Sequence, residues 1–160
     1  MQILYHPIGI IHSPFNDLEG MPIQPVGERR TGGTVEVFPQ FSEGLKDLAG
    51  FSHIYLIFHL HEAHFSSLTV TPFLDSEPRG LFATRAPSRP NPIGLSLVKL
   101  LAVEDNILTV ESLDVLDGSP LLDIKPYVPL FEESENTRSG WMESVKDEIA
   151  SRTSDRRFID

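Results

Sequence analysis

Short apolar stretches, separated by turn residues, run along most of the chain. Thirteen Pro and 11 Gly interrupt the pattern, so long helices are not expected before residue 130. Alternation, or a high content of β-branched and aromatic residues, is typical of strands. Seven stretches have this character: residues 5–12, 34–38, 53–61, 80–84, 95–103, 107–113 and 121–127. The pattern therefore predicts an all-β protein.

Two neighbouring stretches indicate how the strands pair. Residues 95–103 and 107–113 flank Glu104-Asp105-Asn106, a polar connection short enough for a β-hairpin. Regularly spaced short strands favour a sandwich or a barrel, and a barrel leaves no sheet edge exposed. We therefore expect a small antiparallel β-barrel.

Two short helices are expected around this barrel. Residues 41–48, with Ser42 as the capping residue, predict one helix inserted between strands. After residue 131 the sequence becomes polar, and Trp141, Val145 and Ile149 recur at helical spacing. The expected organisation is a barrel domain over residues 1–131, then a polar linker and a short C-terminal helix over residues 132–160.

Composition narrows the class of protein. The 160 residues are 40% hydrophobic and 22% charged, as in one folded domain. The longest apolar run, residues 54–58, is far shorter than the roughly 20 residues of a membrane span, and the N-terminus does not resemble a signal peptide. The absence of Cys excludes disulfides, a Cys-based zinc site and a thiolate nucleophile. These features predict a cytoplasmic protein that does not span a membrane.

Charge is distributed unevenly along the chain. A net charge of −10 argues against a protein that binds nucleic acid through its total charge. Between Glu77 and Glu104, however, there is no acidic residue, and this window contains four cations: Arg79, Arg85, Arg89 and Lys99. Two interpretations stay open, namely solvated or locally paired cations, and an anion-binding patch on an acidic body.

Two loops carry candidate binding residues. Residues 87–92 contain three Pro, each of which fixes φ and removes a donor, so this segment is predicted to be a stiff loop. Such a loop either connects two strands or presents Arg85, Arg89 and Asn91 to a ligand without an ordering cost. In residues 114–120, Asp117 suits a hydroxyl-rich ligand, although the Asp-Gly and Pro content is also ordinary turn chemistry.

Four histidines, His53, His59, His61 and His64, lie within twelve residues. On a strand, His59 and His61 would share a face, which suits zinc, but local hydrogen bonding of each His is the simpler interpretation, and no metal is expected. Glu62 suits a polar ligand or an acid–base step. The sequence has no G-x-G-x-x-G, P-loop or G-x-S-x-G motif, which argues against dinucleotide-binding, P-loop and α/β-hydrolase proteins.

Four blocks of sequence resemble one known family. They are IGIIHSPF (8–15), FSHIYLIFHLH (51–61), FATRAPSRPNPIGLS (82–96) and LDVLDGSPLLDIKPYVP (113–129), and they are similar to the TrmO family, also called TsaA-like or YaeB-like. The resemblance implies a TsaA-like β-barrel that works as a homodimer and binds S-adenosyl-L-methionine without a Rossmann domain. It implies methylation of N6 of threonylcarbamoyladenosine, next to the anticodon of tRNA. Longer members carry an extra C-terminal domain, so this chain looks like a short form.

The resemblance also implies positions for the site. The expected cofactor contacts are Ile23, Gln24, Pro25, His61, Glu62, Arg85, Leu95, Asp117, Gly118, Ser119 and Pro120. Family members often have Arg where this chain has Ile23, so Arg29 or Arg30 would have to replace that contact. The expected RNA or substrate contacts are Arg79, Arg89, Asn91, Lys99 and Lys125. Four residues are candidates for accepting the substrate proton: His61, Glu62, Asp117 and Tyr127.

Three functions remain open at this point. The first is the tRNA methyltransferase that the resemblance implies. The second is an S-adenosyl-L-methionine-binding protein of the same family that acts on another substrate or as a non-catalytic module, which the acidic charge favours. The third is a metal-dependent hydrolase built on the His cluster.

Overall fold

A computed structural model describes residues 1–17, 31–73, 75–132, 134 and 136–148. Residues 146–148 are described by their backbone alone. The described chain contains eight strands: β1 (Gly9–His12), β2 (Gly32–Val37), β3 (His53–His59), β4 (Thr69–Val70), β5 (Arg79–Gly80), β6 (Ile93–Glu104), β7 (Ile107–Glu111) and β8 (Ser119–Pro126). The helical segments are one α-helical turn, α1 (Pro129–Glu132), and four 3-10 segments: Pro39–Leu45, Leu48–Gly50, Leu81–Ala83 and Gly140–Glu148.

Six of the strands form a closed antiparallel barrel in the order β1-β2-β7-β6-β3-β8. Each strand pairs with both of its neighbours, so the barrel has no open edge, and β8 closes it by pairing with β1 on one side and β3 on the other. Strands β4 and β5 form a separate two-stranded sheet beside the barrel. The prediction of an all-β antiparallel barrel is confirmed.

Strand β3 shows how alternation in the sequence builds the core. Ile54, Leu56 and Phe58 point into the barrel and are almost fully buried, while the residues between them lie on the half-buried outer face. Side chains of a strand alternate between faces, so this register directs every apolar residue of one parity inward. The inward residues of all six strands form one continuous core.

The hairpin between β6 and β7 also agrees with the sequence. Its loop is Asp105-Asn106, and Asp105 adopts a φ of 54°, which Asp and Asn tolerate better than most residues. Asn106 fastens the hairpin to β2, because its side-chain amide donates to the Val37 carbonyl (2.7 Å) and its carbonyl accepts from the Val37 N–H (2.9 Å).

Two predicted strands end differently in the structure. The expected strand over residues 80–84 is wrong beyond Gly80, because residues 81–83 form a 3-10 turn. The Thr84 hydroxyl and N–H both donate to the Leu81 carbonyl and close that turn. Strand β3 ends at His59, so His61 lies in the following turn rather than on the outer face shared with His59.

The predicted insert helix and C-terminal helix are both helical, but of the 3-10 type. Pro39 begins the first segment, and the Ser42 hydroxyl donates to the Pro39 carbonyl (2.8 Å) rather than capping the N-terminus. In Gly140–Glu148 the backbone is non-helical at Val145, and Ile149 lies outside the described residues. The division at residue 131 stays a prediction.

A membrane-spanning helix is not found in the described part of the chain, because none of its helices is long and apolar enough to cross a bilayer.

Candidate functional site

A cleft of about 80 Å³ lies at one mouth of the barrel. Its walls come from the end of β3, the turn after it, the Pro-rich loop and the loop that leads into β8. The lining residues are Phe58, Leu60, His61, Glu62, Ala63, Pro87, Asp114, Val115, Leu116 and Ser119. The cleft thus combines apolar walls with one imidazole, two carboxyls and a hydroxyl.

A glycine on β6 makes room for the aromatic wall of this cleft. Gly94 pairs with Phe58 across the β3–β6 ladder, and a Cβ at position 94 would lie 2.4 Å from two atoms of the Phe58 ring. Real carbon contacts are never that short. Only Gly at this position therefore lets the Phe58 ring keep its place at the cleft.

His61 and Glu62, two of the positions that the resemblance implies, both line the cleft. The Nδ1 atom of His61 lies 3.3 Å from the hydroxyl of buried Ser119 on β8. Its Nε2 atom lies 3.8 Å from one oxygen of Glu62, whose other oxygen lies 3.3 Å from Nε2 of His64. Glu62 therefore bridges two imidazoles at the rim.

Asp114 is half-buried and lines another wall of the cleft. One of its oxygens accepts a hydrogen bond from the hydroxyl of Ser96, which points inward from β6 and is 3% exposed. Burial raises the pKa of the Asp114 carboxyl above its usual range, while the Ser96 hydrogen bond and the charge of Arg85 partly offset this rise. Neither Asp114 nor Ser96 is among the site residues that the sequence predicts.

Asp117, a predicted cofactor contact and proton acceptor, holds its own loop against β1. Its carboxylate accepts from the Ser13 N–H (2.9 Å) and lies 3.8 Å from His12 Nδ1, while its backbone N–H donates to the Phe15 carbonyl (2.8 Å). Asp117 does not line the cleft. Its side chain positions the loop that carries Asp114 and Ser119.

Gly118 and Pro120, two further predicted cofactor contacts, flank Ser119 at the start of β8. Gly118 has a φ of 74°, which glycine adopts without strain, in a turn closed by the Ser119 N–H and the Leu116 carbonyl (3.3 Å). Pro120 pairs with Ile10 in the barrel wall. Of this turn, Leu116 and Ser119 line the cleft, while Asp117, Gly118 and Pro120 do not.

Arg89 is bound within the Pro-rich loop that the sequence predicts to be stiff. Its guanidinium donates to the carbonyls of Thr84 (3.0 Å) and Ala86 (3.2 Å) and lies over the Phe82 ring at 5.8 Å. Arg85 is exposed on the same loop, and its guanidinium makes no hydrogen bond or ion pair with other described residues. Arg85 is therefore the better placed of the two for an external anion.

The other predicted RNA contacts differ in their exposure and in their ion pairs with other residues of the chain. Arg79 pairs with Asp75 (2.6 Å) and lies 5.6 Å from the ring of Trp141, whose indole N–H donates to the Ala83 carbonyl (2.8 Å). The remaining three are exposed residues: Asn91, Lys99 (3.9 Å from Glu111) and Lys125 (2.9 Å from Asp123). Arg79 is thus a structural cation, and the acid-free window does not form a single open patch.

Tyr127, the fourth predicted proton acceptor, lies on the outer face of the barrel. Its ring makes edge contacts with His53 (6.2 Å) and Tyr55 (5.9 Å). The Tyr55 hydroxyl donates to Glu132 (3.2 Å), and partial burial together with that carboxylate raises the pKa of Tyr55. This aromatic group is not among the residues that line the cleft.

Some predictions are not addressed by the described residues. Ile23, Gln24, Pro25, Arg29 and Arg30 lie outside them. Leu95 is described, but it lies on the outer face of β6 and is 50% exposed.

The four histidines do not form a metal centre in the described chain. Within residues 1–17, 31–73, 75–132, 134 and 136–148, no group of three or more His, Asp or Glu could hold a metal ion. His53 instead lies 2.9 Å from the Ser52 hydroxyl through its Nδ1 atom.

Sequence reasoning missed Asp114 and Ser96 because they are 18 residues apart and belong to different strands and loops. An available signal was the position of Asp114 between two apolar residues, Leu113 and Val115, which are both buried. A carboxyl in such a place must be buried or must interrupt the core, and either outcome marks it for attention.

The small closed antiparallel barrel is a fold that this chain shares with a class of known proteins. The tRNA-methyltransferase O N-terminal domain matches residues 10–133 of this sequence. The chain belongs to the tRNA-methyltransferase O family.

This chain matches different shares of its relatives' lengths. A "probable S-adenosyl-L-methionine-binding protein" of Pyrococcus abyssi is 54% identical over 159 residues, which are 99% of this chain and 86% of that protein. The tRNA (adenine(37)-N6)-methyltransferase of Escherichia coli is 34% identical over 151 residues, which cover 88% of this chain and 64% of that enzyme. The chain therefore spans less than two thirds of the enzyme whose name states a reaction.

The solved structures agree with the barrel. The crystal structure of TrmO from Pseudomonas aeruginosa superimposes with a TM-score of 0.74 at 38% identity, covering 88% of this chain and 63% of that one.

Proposed function

We propose that this protein binds S-adenosyl-L-methionine at the mouth of the barrel and transfers its methyl group to N6 of threonylcarbamoyladenosine next to the anticodon of tRNA. The observation that carries the proposal is the convergence of His61, Glu62 and Ser119 in one cleft. All three are positions that the family resemblance assigns to the cofactor. The name of the Escherichia coli relative supports the tRNA substrate.

The residues of the cleft fit this cofactor chemically. Phe58, Leu60 and Leu116 offer apolar surface, and the Glu62 carboxylate suits a cation such as a sulfonium. Small-molecule sites usually measure about 300–1,000 Å³, and this cleft has about 80 Å³. We therefore expect the cofactor to extend past the cleft to further residues, such as those carried over at positions 23–25.

When bound, the cofactor supplies an electrophilic methyl group on a positively charged sulfur. The protein's part is to hold the substrate nitrogen in line with that methyl group, since positioning alone removes much of the barrier to a two-reactant step. Phe58 and Leu116 exclude water from the apolar side of the cleft. Arg85 is free to hold a phosphate of the anticodon loop at the rim, where the target base is already unpaired.

A second candidate function is a member of this family that binds the cofactor but acts on another substrate or as a binding module. The name of the Pyrococcus abyssi relative favours it, because that name states binding and no reaction. The net charge of −10 and the internal pairing of Arg79 and Arg89 favour it as well, because they reduce the surface open to RNA.

We also propose that the protein works in the cytoplasm as a homodimer. The outer face of β6 exposes Ile93 (42%), Leu95 (50%) and Leu101 (51%) to solvent, and Leu95 pairs with Ile57 of β3. Exposed apolar side chains along one strand support a protein partner there. Native mass spectrometry tests the proposal directly, because a monomer at micromolar concentration would contradict it.

The first experiment measures binding and reaction separately. Mass spectrometry of small molecules released from the purified protein, with calorimetric titration of S-adenosyl-L-methionine, should show one molecule per subunit. Methyl transfer is then assayed on tRNA with and without the threonylcarbamoyl group. Transfer only to the modified tRNA supports the proposal, binding without transfer supports the second candidate, and absence of binding contradicts both.

A further inference from the structure

The substrate nitrogen carries a proton that has to leave during methylation, and the structure favours a base that the sequence does not predict. Of the four predicted acceptors, Asp117 is bound to the Ser13 backbone and Tyr127 packs on the outer face. His61 and Glu62 do line the cleft, but Glu62 is about half exposed and is shared with His64. Asp114 lines the same cleft, and it is the acid–base group there that the sequence does not predict.

The backbone around Asp114 is fixed in an unusual way. Ser112, two residues before it, has a φ of 64°, a left-handed conformation that is strained for a residue with a side chain. Leu113 on one side and Val115 on the other are buried, and the Val115 carbonyl accepts from the Ser13 hydroxyl (2.6 Å). The loop is thus held so that the Asp114 carboxyl turns towards the cleft.

The carboxyl itself is oriented from a different element. Ser96, inward-facing on β6, donates its hydroxyl to one Asp114 oxygen, and the backbone N–H of Asp114 itself also donates to this carboxyl. These two donors orient the carboxyl, and its remaining lone pairs can accept a proton. A base that is held by a hydrogen bond to its partner oxygen is the arrangement that general base catalysis needs.

The charged groups that face Asp114 come from two elements. Arg85 approaches from the Pro-rich loop, and His61 and Glu62 line the same cleft from the turn after β3. Burial raises the pKa of Asp114 more than Arg85 and Ser96 lower it. A carboxylate whose pKa is raised towards neutrality is a stronger base than an exposed one, although still ionised above that pKa.

We propose that Asp114, oriented by Ser96, accepts the proton that the substrate nitrogen loses during methyl transfer. The inference rests on the proposed function. The nitrogen–carbon bond forms as the carbon–sulfur bond breaks, and the N–H electron pair stays on nitrogen while its proton moves to the Asp114 carboxylate. The positive charge on sulfur and the negative charge on Asp114 disappear together, so the step is balanced in atoms and charge.

The test compares three variants. Asp114→Asn keeps the shape and can still accept from Ser96 but cannot take a proton. Ser96→Ala keeps the base and removes its hydrogen bond. Asp105→Asn is the matched control, because it makes the same chemical change in the exposed β6–β7 turn, where Asn tolerates the positive φ.

We expect Asp114→Asn to lower the single-turnover rate on modified tRNA about 10²–10⁴-fold, the usual contribution of a general base. Cofactor affinity measured by calorimetry should change by less than about threefold, because the lost function is proton transfer. Ser96→Ala should move the acidic limb of the pH–rate profile to higher pH, since the Ser96 hydrogen bond lowers the pKa of Asp114. Asp105→Asn should match the wild type in rate and binding.

A readout independent of turnover is the ¹³C NMR titration of the Asp114 carboxyl, identified by its loss in Asp114→Asn. Its midpoint should lie above that of an ordinary Asp and rise further in Ser96→Ala. The proposal is overturned if the wild type methylates tRNA and Asp114→Asn does so equally well, or if cofactor binding falls as much as the rate. If the wild type binds the cofactor but methylates no tRNA, the proposed function itself fails, and this inference fails with it.

Discussion

Substitution of Gly94 by Ala tests whether the space beside Phe58 is as closely filled as the structure indicates. The new Cβ would lie 2.4 Å from two ring atoms, and ordinary contacts begin at 3.4 Å, so the ring has to shift by about 1 Å. Overpacking of this kind costs about 1–3 kcal/mol, whereas removing a strand glycine gains about 0.5–1 kcal/mol. The clash should therefore dominate, with a net loss of roughly 1–2 kcal/mol.

Gly32→Ala is the matched control for this substitution. Gly32 is also a strand glycine of the barrel, but a Cβ there would meet only the Val110 carbonyl at 3.5 Å. We expect Gly32→Ala to be neutral or slightly stabilising. For a protein of this size, each kcal/mol moves the melting temperature by about 2–4 °C, so thermal unfolding should separate the two variants by several degrees.

A double-mutant cycle shows whether the ring is the cause. Phe58→Leu removes the ring that the new methyl group meets, so Gly94→Ala should cost less in that background, with a coupling of about 0.5–3 kcal/mol. Urea unfolding measures all four proteins. Additive losses, or a Gly94→Ala variant as stable as Gly32→Ala, would refute the close packing. Because Phe58 lines the cleft, the same ring shift should also weaken binding of S-adenosyl-L-methionine.

Three further outcomes follow from single side chains. Arg85→Ala should reduce the slope of log affinity against log salt for tRNA by roughly 0.7–0.9, the value of one phosphate contact, and an unchanged slope would remove Arg85 from the RNA surface. Asn106→Ala should destabilise the protein by about 1 kcal/mol in urea unfolding, because the Val37 carbonyl loses its donor. The raised folded pKa of Asp114 gives the wild type a stabilising contribution that is present below the unfolded pKa and lost as pH rises through the folded pKa, and Asp114→Asn lacks this contribution. As pH rises through mildly acidic buffers, the melting temperature should therefore fall more in the wild type than in Asp114→Asn, and an equal fall would contradict the raised pKa.

The barrel could be predicted from the sequence because its information is local. Alternation in β3 and the short polar loop at Asp105 each specify a strand face or a turn within a few residues, and the structure confirms both. The strand predicted after Gly80 is wrong because the Thr84 hydroxyl closes a turn there, in spite of the strand-like composition of the segment. Composition does not show which side chain will bond to which carbonyl.

The cleft could be predicted only in part. A family resemblance implies His61 and Glu62 as site residues, and both line the cleft. Asp114 was not found, because its surroundings depend on a β6 residue that comes 18 positions earlier. Conversely, the sequence predicts that Arg89 binds an anion because it shows the positive charge of this residue. It does not show that two backbone carbonyls accept hydrogen bonds from the Arg89 guanidinium.

The way in which the barrel closes has a consequence for its synthesis on the ribosome. The last barrel strand, β8, supplies the hydrogen-bonding partners of both β1 and β3, and β1 lies more than a hundred residues earlier in the chain. Until residues 119–126 have emerged, these two strands have no partner on that side, and the seam of the cylinder stays open. Long-range closure of this kind slows folding and leaves strand edges available to other chains. A nascent chain that stalls before residue 119 should therefore aggregate, whereas one that stops after residue 126 contains all six strands of the barrel.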